Sequence, residues 1–90
     1  MITFSLIFNP PNSKSYFMER NQFLVSLGSR VRRIRKQKGL TQQSLSDLCD
    51  IEKANLSRIE SGITNPTILT LLKMSKTLNI EINDFFHAGE

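Results

Sequence analysis

The chain has 90 residues, 10.3 kDa, with 12 Lys and Arg against 8 Asp and Glu and a formal charge of +4. That is too short for a two-domain enzyme, and below roughly 100 residues a single core is marginal on its own, so stability shared with a second copy is expected. The lone Cys49 excludes an internal disulfide framework, and with only His87 beside it no tetrahedral Cys/His zinc site can be assembled within one chain.

Hydrophobic residues at 39% and charged residues at 22% fit a globular chain rather than a disordered one. No apolar run is long enough for a transmembrane helix, so no membrane partner is expected. Met1 to Phe8 are apolar, but they lack a positive leading region and run into Pro10 and Pro11, so they do not read as a secretory signal. With one thiol and no leader, a cytoplasmic chain is the expectation.

Residues 1–20 show no sustained helical period. They contain Asn9-Pro10-Pro11-Asn12-Ser13, with Ile2, Phe4 and Leu6 alternating like a short strand, and read as an irregular N-terminal arm ahead of a domain over 21–88. From Gln22 to Lys38, Leu24, Leu27, Val31 and Ile34 form the stripe of a first helix, and Gly39 stands where a C-cap belongs. Thr41 is a good N-cap for a short second helix with Leu45, Leu48 and Cys49 inward, ended by Asp50. A third begins around Lys53 with Leu56 and Ile59 inward and closes at Gly62. Asn65-Pro66 makes a turn, Thr67 caps a fourth helix with Ile68, Leu71, Leu72 and Leu78 on one face, and a last short helix covers Asn83 to Phe86. The sum is five helices and no strand in the domain.

The bases are unevenly placed. Lys14 and Arg20 precede Phe23, six cations without an acid fall between Arg30 and Lys38, and Lys53, Arg58, Lys73 and Lys76 come after them. A basic helix joined to a mildly acidic remainder suggests a polyanion partner, although a solvated helix face gives the same pattern. Cys49 occupies a core position. His87 comes after two phenylalanines, lacks a partner that would make it a ligand or a base, and reads as a surface residue.

Thr41 to Gly62, TQQSLSDLCDIEKANLSRIESG, holds two short helices joined by a tight turn at Asp50, where a residue tolerant of left-handed backbone is needed. From Leu27 to Phe86 the chain resembles the phage-repressor (Cro/XRE) type of helix-turn-helix protein. The matching elements are Arg35, Gly39-Leu40-Thr41-Gln42, Leu45, Ile51, Leu56-Ser57-Arg58-Ile59-Glu60, Gly62, Asn65-Pro66-Thr67 and the leucines of the fourth helix. It departs at Ser46, where the family usually has Ala, at Asp50, usually Gly, and at Glu52, usually a Ser or Thr cap.

The resemblance implies an all-α, five-helix, lambda-repressor-like domain whose third helix enters the major groove with its N-terminal residues toward base edges. Carried over by position, Lys53, Ala54, Asn55 and Arg58 face bases. Lys53 and Arg58 suit guanine acceptors, Asn55 adenine and Ala54 a thymine methyl. Ser57 is small enough to let the backbone approach. Gln42 holds a phosphate and braces the reading helix, and Arg35 with Glu60 forms a structural ion pair that orients it. Glu52 fits three roles, reading cytosine, repelling phosphate or facing the helix dipole, and the choice stays open. Arg30, Arg32, Arg33, Lys36 and Lys38 point around more than one face and supply nonspecific attraction.

Together these features imply a transcriptional regulator of double-stranded DNA with no cofactor, metal or catalysis. A homodimer on a pseudo-palindromic operator is expected, with Ile80, Ile82, Phe85 and Phe86 offering more apolar surface than so small a domain buries. The alternative is an antitoxin-like or controller module whose main role is to bind a partner protein, with residues 2 to 8 as its contact surface.

Overall fold

The computed structural model describes residues 13–86. It holds α1 (Ser13–Gln37), α2 (Gln42–Cys49), α3 (Lys53–Ser61) and α4 (Ile68–Leu78), followed by a 3-10 helix, Ile82–Phe86. Among the described residues there is no strand, and the last of the expected helices is this single 3-10 segment rather than an α-helix. The strand-like alternation at Ile2, Phe4 and Leu6, the contact surface assigned to residues 2 to 8, and the surface placement of His87 lie outside the described residues.

The first helix begins nine residues earlier than its apolar stripe predicts, so residues 13–20 are helical and not an irregular arm. Buried positions in α1 start only at Leu24. A stretch that buries none of its residues shows no inward stripe, which is why periodicity is silent over residues 13–21. At 25 residues α1 is about 37 Å long, and its C-terminal half is the strut on which the other helices assemble.

The helix ends agree with their caps. Thr41 Oγ1 accepts from the Ser44 amide at 3.0 Å and Thr67 Oγ1 from the Thr70 amide at 3.1 Å. Each satisfies an amide that lacks an acceptor within its helix. Asp50 (φ 56°) ends α2 and Gly62 (φ 77°) ends α3, both in left-handed backbone. Asp50 makes the tight turn at a position where the family usually has glycine; its short polar side chain tolerates that region better than most. Glu52 makes no side-chain hydrogen bond to the start of α3.

Val31, Leu45, Leu56, Ile59, Met74, Leu78 and Phe85 form the centre of the core, with Leu40, Ile51, Ile80 and Ile82 packed against it. Three residues expected inward are not. Leu48 is 64% exposed, Ile68 64% and Leu72 39%. The buried arc of α2 runs through Leu45, Ser46 and Cys49, and Leu48 lies roughly 110° from its middle at about 100° per residue. Met74 and Ser75 take the inward places on α4. The buried hydroxyls are satisfied within their own helices, Ser46 Oγ donating to the Gln43 carbonyl at 2.9 Å and Ser75 Oγ to that of Leu72 at 2.8 Å. That is how Ser replaces the usual Ala at position 46 without an orphaned polar group.

Candidate nucleic-acid interface

α3 presents one face to solvent and is held along the other. Leu56, Ile59 and Glu60 are buried, while Lys53, Ala54 and Arg58 are exposed and Asn55 and Ser57 are half-buried. Viewed down the axis, Ala54 and Arg58, one turn apart, occupy the middle of the open face, with Asn55 on one flank and Ser57 on the other. Lys53 projects from the first turn. The helix therefore brings Ala54, Asn55, Ser57 and Arg58 onto one surface, with Lys53 at its leading edge.

The C-terminal end of α3 is fixed twice. Arg35 Nε donates to Glu60 Oε2 at 2.6 Å and its Nη2 to Oε1 at 2.9 Å, a two-pronged pair in which both side chains are almost wholly buried. Arg35 Nη1 donates to the Leu40 carbonyl at 2.7 Å, and Gln42 Nε2 donates to Glu60 Oε1 at 3.0 Å. The Glu60 carboxylate thus joins α1, the start of α2 and the end of α3, and the Arg35 guanidinium ties in the loop after α1. The hydrogen bond to Glu60, reinforced by its charge and opposed by burial, raises the Arg35 pKa above its ordinary value, so the guanidinium stays charged.

The second fixation is backbone to backbone. A Cβ built on Gly28 would overlap the Ile59 carbonyl oxygen and stand 2.7 Å from that of Glu60, so α1 and α3 cross in contact at this residue. Gly62, which ends α3, abuts the Cα of Val25. Gly28 carries no motif and escapes sequence reasoning. Its one signal is a glycine inside a helical stripe, a choice that costs about 1 kcal/mol unless packing requires it.

At the opposite end of α3, Lys53 lines a shallow open depression together with Gln42, Gln43 and Lys36. Of the basic stretch, Arg35 and Lys36 line this depression, Arg35 buried and Lys36 exposed. Thr41, Gln42 and Gln43 at the start of α2 also line it, and a helix start carries partial positive charge. Of the other basic residues, Arg30 is used structurally, its Nη1 donating to the Phe85 carbonyl at 3.2 Å. Cys49 is buried, with Sγ 3.4 Å from Thr77 Oγ1, in keeping with its core position. Among the described residues no group of three or more His, Cys, Asp and Glu could hold a metal ion. None of the described helices is long and apolar enough to cross a membrane.

Two short helices joined through a left-handed turn, the second locked at its end and open at its start, define a helix-turn-helix protein. The helix-turn-helix family matches residues 31–85, and the chain belongs to that family, in its phage-repressor (Cro/XRE) form. It is 38% identical over 63 residues to the HTH-type transcriptional regulator SlrR of Bacillus subtilis, covering 69% of this chain and 41% of SlrR. It is 30% identical over 67 residues to the control protein C.MunI of a Mycoplasma species, covering 73% of this chain and 90% of that protein. The crystal structure of the restriction-modification controller protein C.AhdI from Aeromonas hydrophila superposes with a TM-score of 0.69 at 33% identity, over 70% of this chain and 96% of that one. Against SlrR and the Escherichia coli regulator PuuR, the chain spans about two fifths and one third of their lengths.

Proposed function

We propose that this chain is a sequence-specific DNA-binding transcriptional regulator acting as a cytoplasmic homodimer on a pseudo-palindromic operator. α3 enters the major groove, where Lys53 and Arg58 donate to guanine O6 and N7, Asn55 pairs with adenine and Ala54 meets a thymine methyl. Ser57 keeps the flank of the helix low enough for close approach. Gln42 uses the amide hydrogen not committed to Glu60 on a backbone phosphate, beside Lys53 and Lys36. No catalytic step enters this reading.

The observation that carries the reading is the buried Arg35–Glu60–Gln42 junction. A helix that must meet base edges at a set angle has to be held by its far end, and this junction holds α3 there while leaving Lys53, Ala54 and Arg58 exposed. The two controller proteins are matched along nine tenths or more of their length. That supports a controller-type regulator in which these helices carry the DNA contact without a further domain.

Binding to a random-sequence duplex, measured by fluorescence anisotropy across a salt series, tests the DNA contact. The logarithm of affinity is expected to fall linearly with the logarithm of salt, and replacing Lys36 with Ala is expected to reduce that slope by about one, for the phosphate no longer neutralised. Absence of duplex binding at about 50 mM salt by the folded chain would remove the reading.

A further inference from the structure

The C-terminal segment, expected to offer surplus apolar surface, buries most of it. Phe85 is wholly buried, and Ile80 and Ile82 pack on the core. Phe86 is the exception, 37% exposed, and it joins Tyr16 and Phe23 of α1 and Ile68 of α4 along one groove beside the Asn65-Pro66 turn. The rings of Phe23 and Phe86 stack at 6.1 Å. Tyr16 and Arg20 belong to the part of α1 that buries none of its residues, so one wall of the groove is the extension of this helix.

From this geometry we infer that the groove is the docking site of residues 2–8 of the same chain, which fold back along α1 and compete there with a second copy. The docking rests on the groove and the N-terminal sequence alone. The competition rests on the homodimer of the proposed function.

Three features select this occupant, and length is the first. From Ile2 to Phe8 an extended chain spans about 20 Å at 3.3 Å per residue, and the groove follows α1 from Tyr16 to Leu27, about 16 Å at 1.5 Å per residue. Asn9-Pro10-Pro11-Asn12 supplies the reversal between them, since Asn-Pro and Pro-Pro pairs mark turns, and the segment joins α1 at Ser13, within a turn of Tyr16.

Pattern is the second. Ile2, Phe4, Leu6 and Phe8 share one face of an extended chain, with Thr3, Ser5 and Ile7 on the other, so four large apolar side chains can meet the aromatic wall together. Residues 1–12 contain no charged side chain, and none is desolvated by docking. Arg20 and Asn65 in the lining supply N–H donors for the peptide carbonyls of a segment without a strand partner.

Local concentration is the third. A segment tethered this closely acts at an effective concentration of about 1 mM, so in a solution at about 1 µM it outweighs an equal surface on a second copy by about 1000-fold. A second copy prevails only by offering the better surface. The arm is therefore a brake on assembly that covers Phe86 until a partner displaces it.

Disulfide trapping in the full chain tests the inference. Leu6→Cys is combined with Ile68→Cys, in the groove, or with Val25→Cys, about 200° round α1 from Phe23. Both partner positions are more than half exposed, and the native Cys49 is buried. Oxidation at about 1 µM, followed by non-reducing electrophoresis, is expected to close the Ile68 pair within the chain about 10-fold faster than the Val25 pair, at a rate independent of protein concentration. Phe4→Asp with Phe8→Asp is expected to abolish that preference. Equal rates for the two pairs, or a preference that survives both aspartates, overturn the inference. An Ile68 bond formed only between chains overturns it too and gives the groove to a second copy. Sedimentation equilibrium of the chain carrying Phe4→Asp and Phe8→Asp reads the consequence, with self-association expected to tighten by about 10-fold over the wild type as the tethered competitor is lost. Closure within the chain with association unchanged overturns the competition alone. Neither measurement uses DNA, so failure of the α3 reading is seen separately, as loss of duplex binding.

Discussion

Arg35 and Glu60 are the pair on which the orientation of α3 depends, and their burial sets the sign of every substitution there. Removing one partner leaves a buried charge without compensation, so Arg35→Ala is expected to cost about 3 to 5 kcal/mol in denaturant unfolding. Replacing both, as Arg35→Met with Glu60→Leu, should recover most of that loss, because two desolvated charges vanish together. A double variant as unstable as Arg35→Ala would mean that the bonds to Leu40 and Gln42, not the pair, carry the stability. On the open face the expectation reverses, since Arg58 is exposed and its loss should leave stability near the wild type. Arg58→Ala should instead cost about 1 to 3 kcal/mol on the preferred site and relax selectivity at one base pair, whereas Gln42→Ala weakens all sequences alike. Gln42→Ala should also destabilise the fold by about 1 kcal/mol through the bond to Glu60. Anisotropy titrations on preferred and random duplexes, beside unfolding curves, separate the two effects.

The elements divide into those whose sequence states their packing and those whose sequence does not. The caps Thr41 and Thr67, the left-handed Asp50 and Gly62, and the buried Leu24, Leu27, Val31, Ile34, Leu56 and Ile59 are set directly by residue type and spacing. The ion pair was legible too, through the family motif. The helix over residues 13–21 was not, because helix formation there leaves no buried stripe. Leu48 and Leu72 misled because an apolar residue at the margin of a helical arc looks inward until the neighbouring helix is in place. Gly28 was invisible for a different reason: what it does is let two backbones touch, and only the crossing of α1 and α3 reveals that. Gly28→Ala therefore has a definite sign. In an open helix it would gain about 1 kcal/mol in propensity, but here the added methyl meets carbonyl oxygens that cannot rotate away. Overpacking of about 3 kcal/mol or more is expected to win, lowering the unfolding midpoint and weakening DNA binding, whereas a midpoint at or above the wild type would show that α1 and α3 can separate without cost.

At the scale of the whole molecule, a small core points to a chain whose stability is shared with its copy. Its thermal midpoint is then expected to rise with protein concentration, since association draws on the folded state alone. A midpoint constant over a hundredfold range of concentration would contradict that. In the proposed homodimer, the same pairing would set the distance between the two α3 helices and so the spacing of the operator half-sites. Selection of binding sites from random duplex DNA at near-physiological salt, with sequencing of the enriched pool, tests the central claim most directly, because low salt would retain duplexes through phosphate contacts alone. An inverted repeat is predicted, with half-sites one helical turn apart and positions that lose definition in the Arg58→Ala variant. Enrichment of no sequence by the folded chain would contradict it.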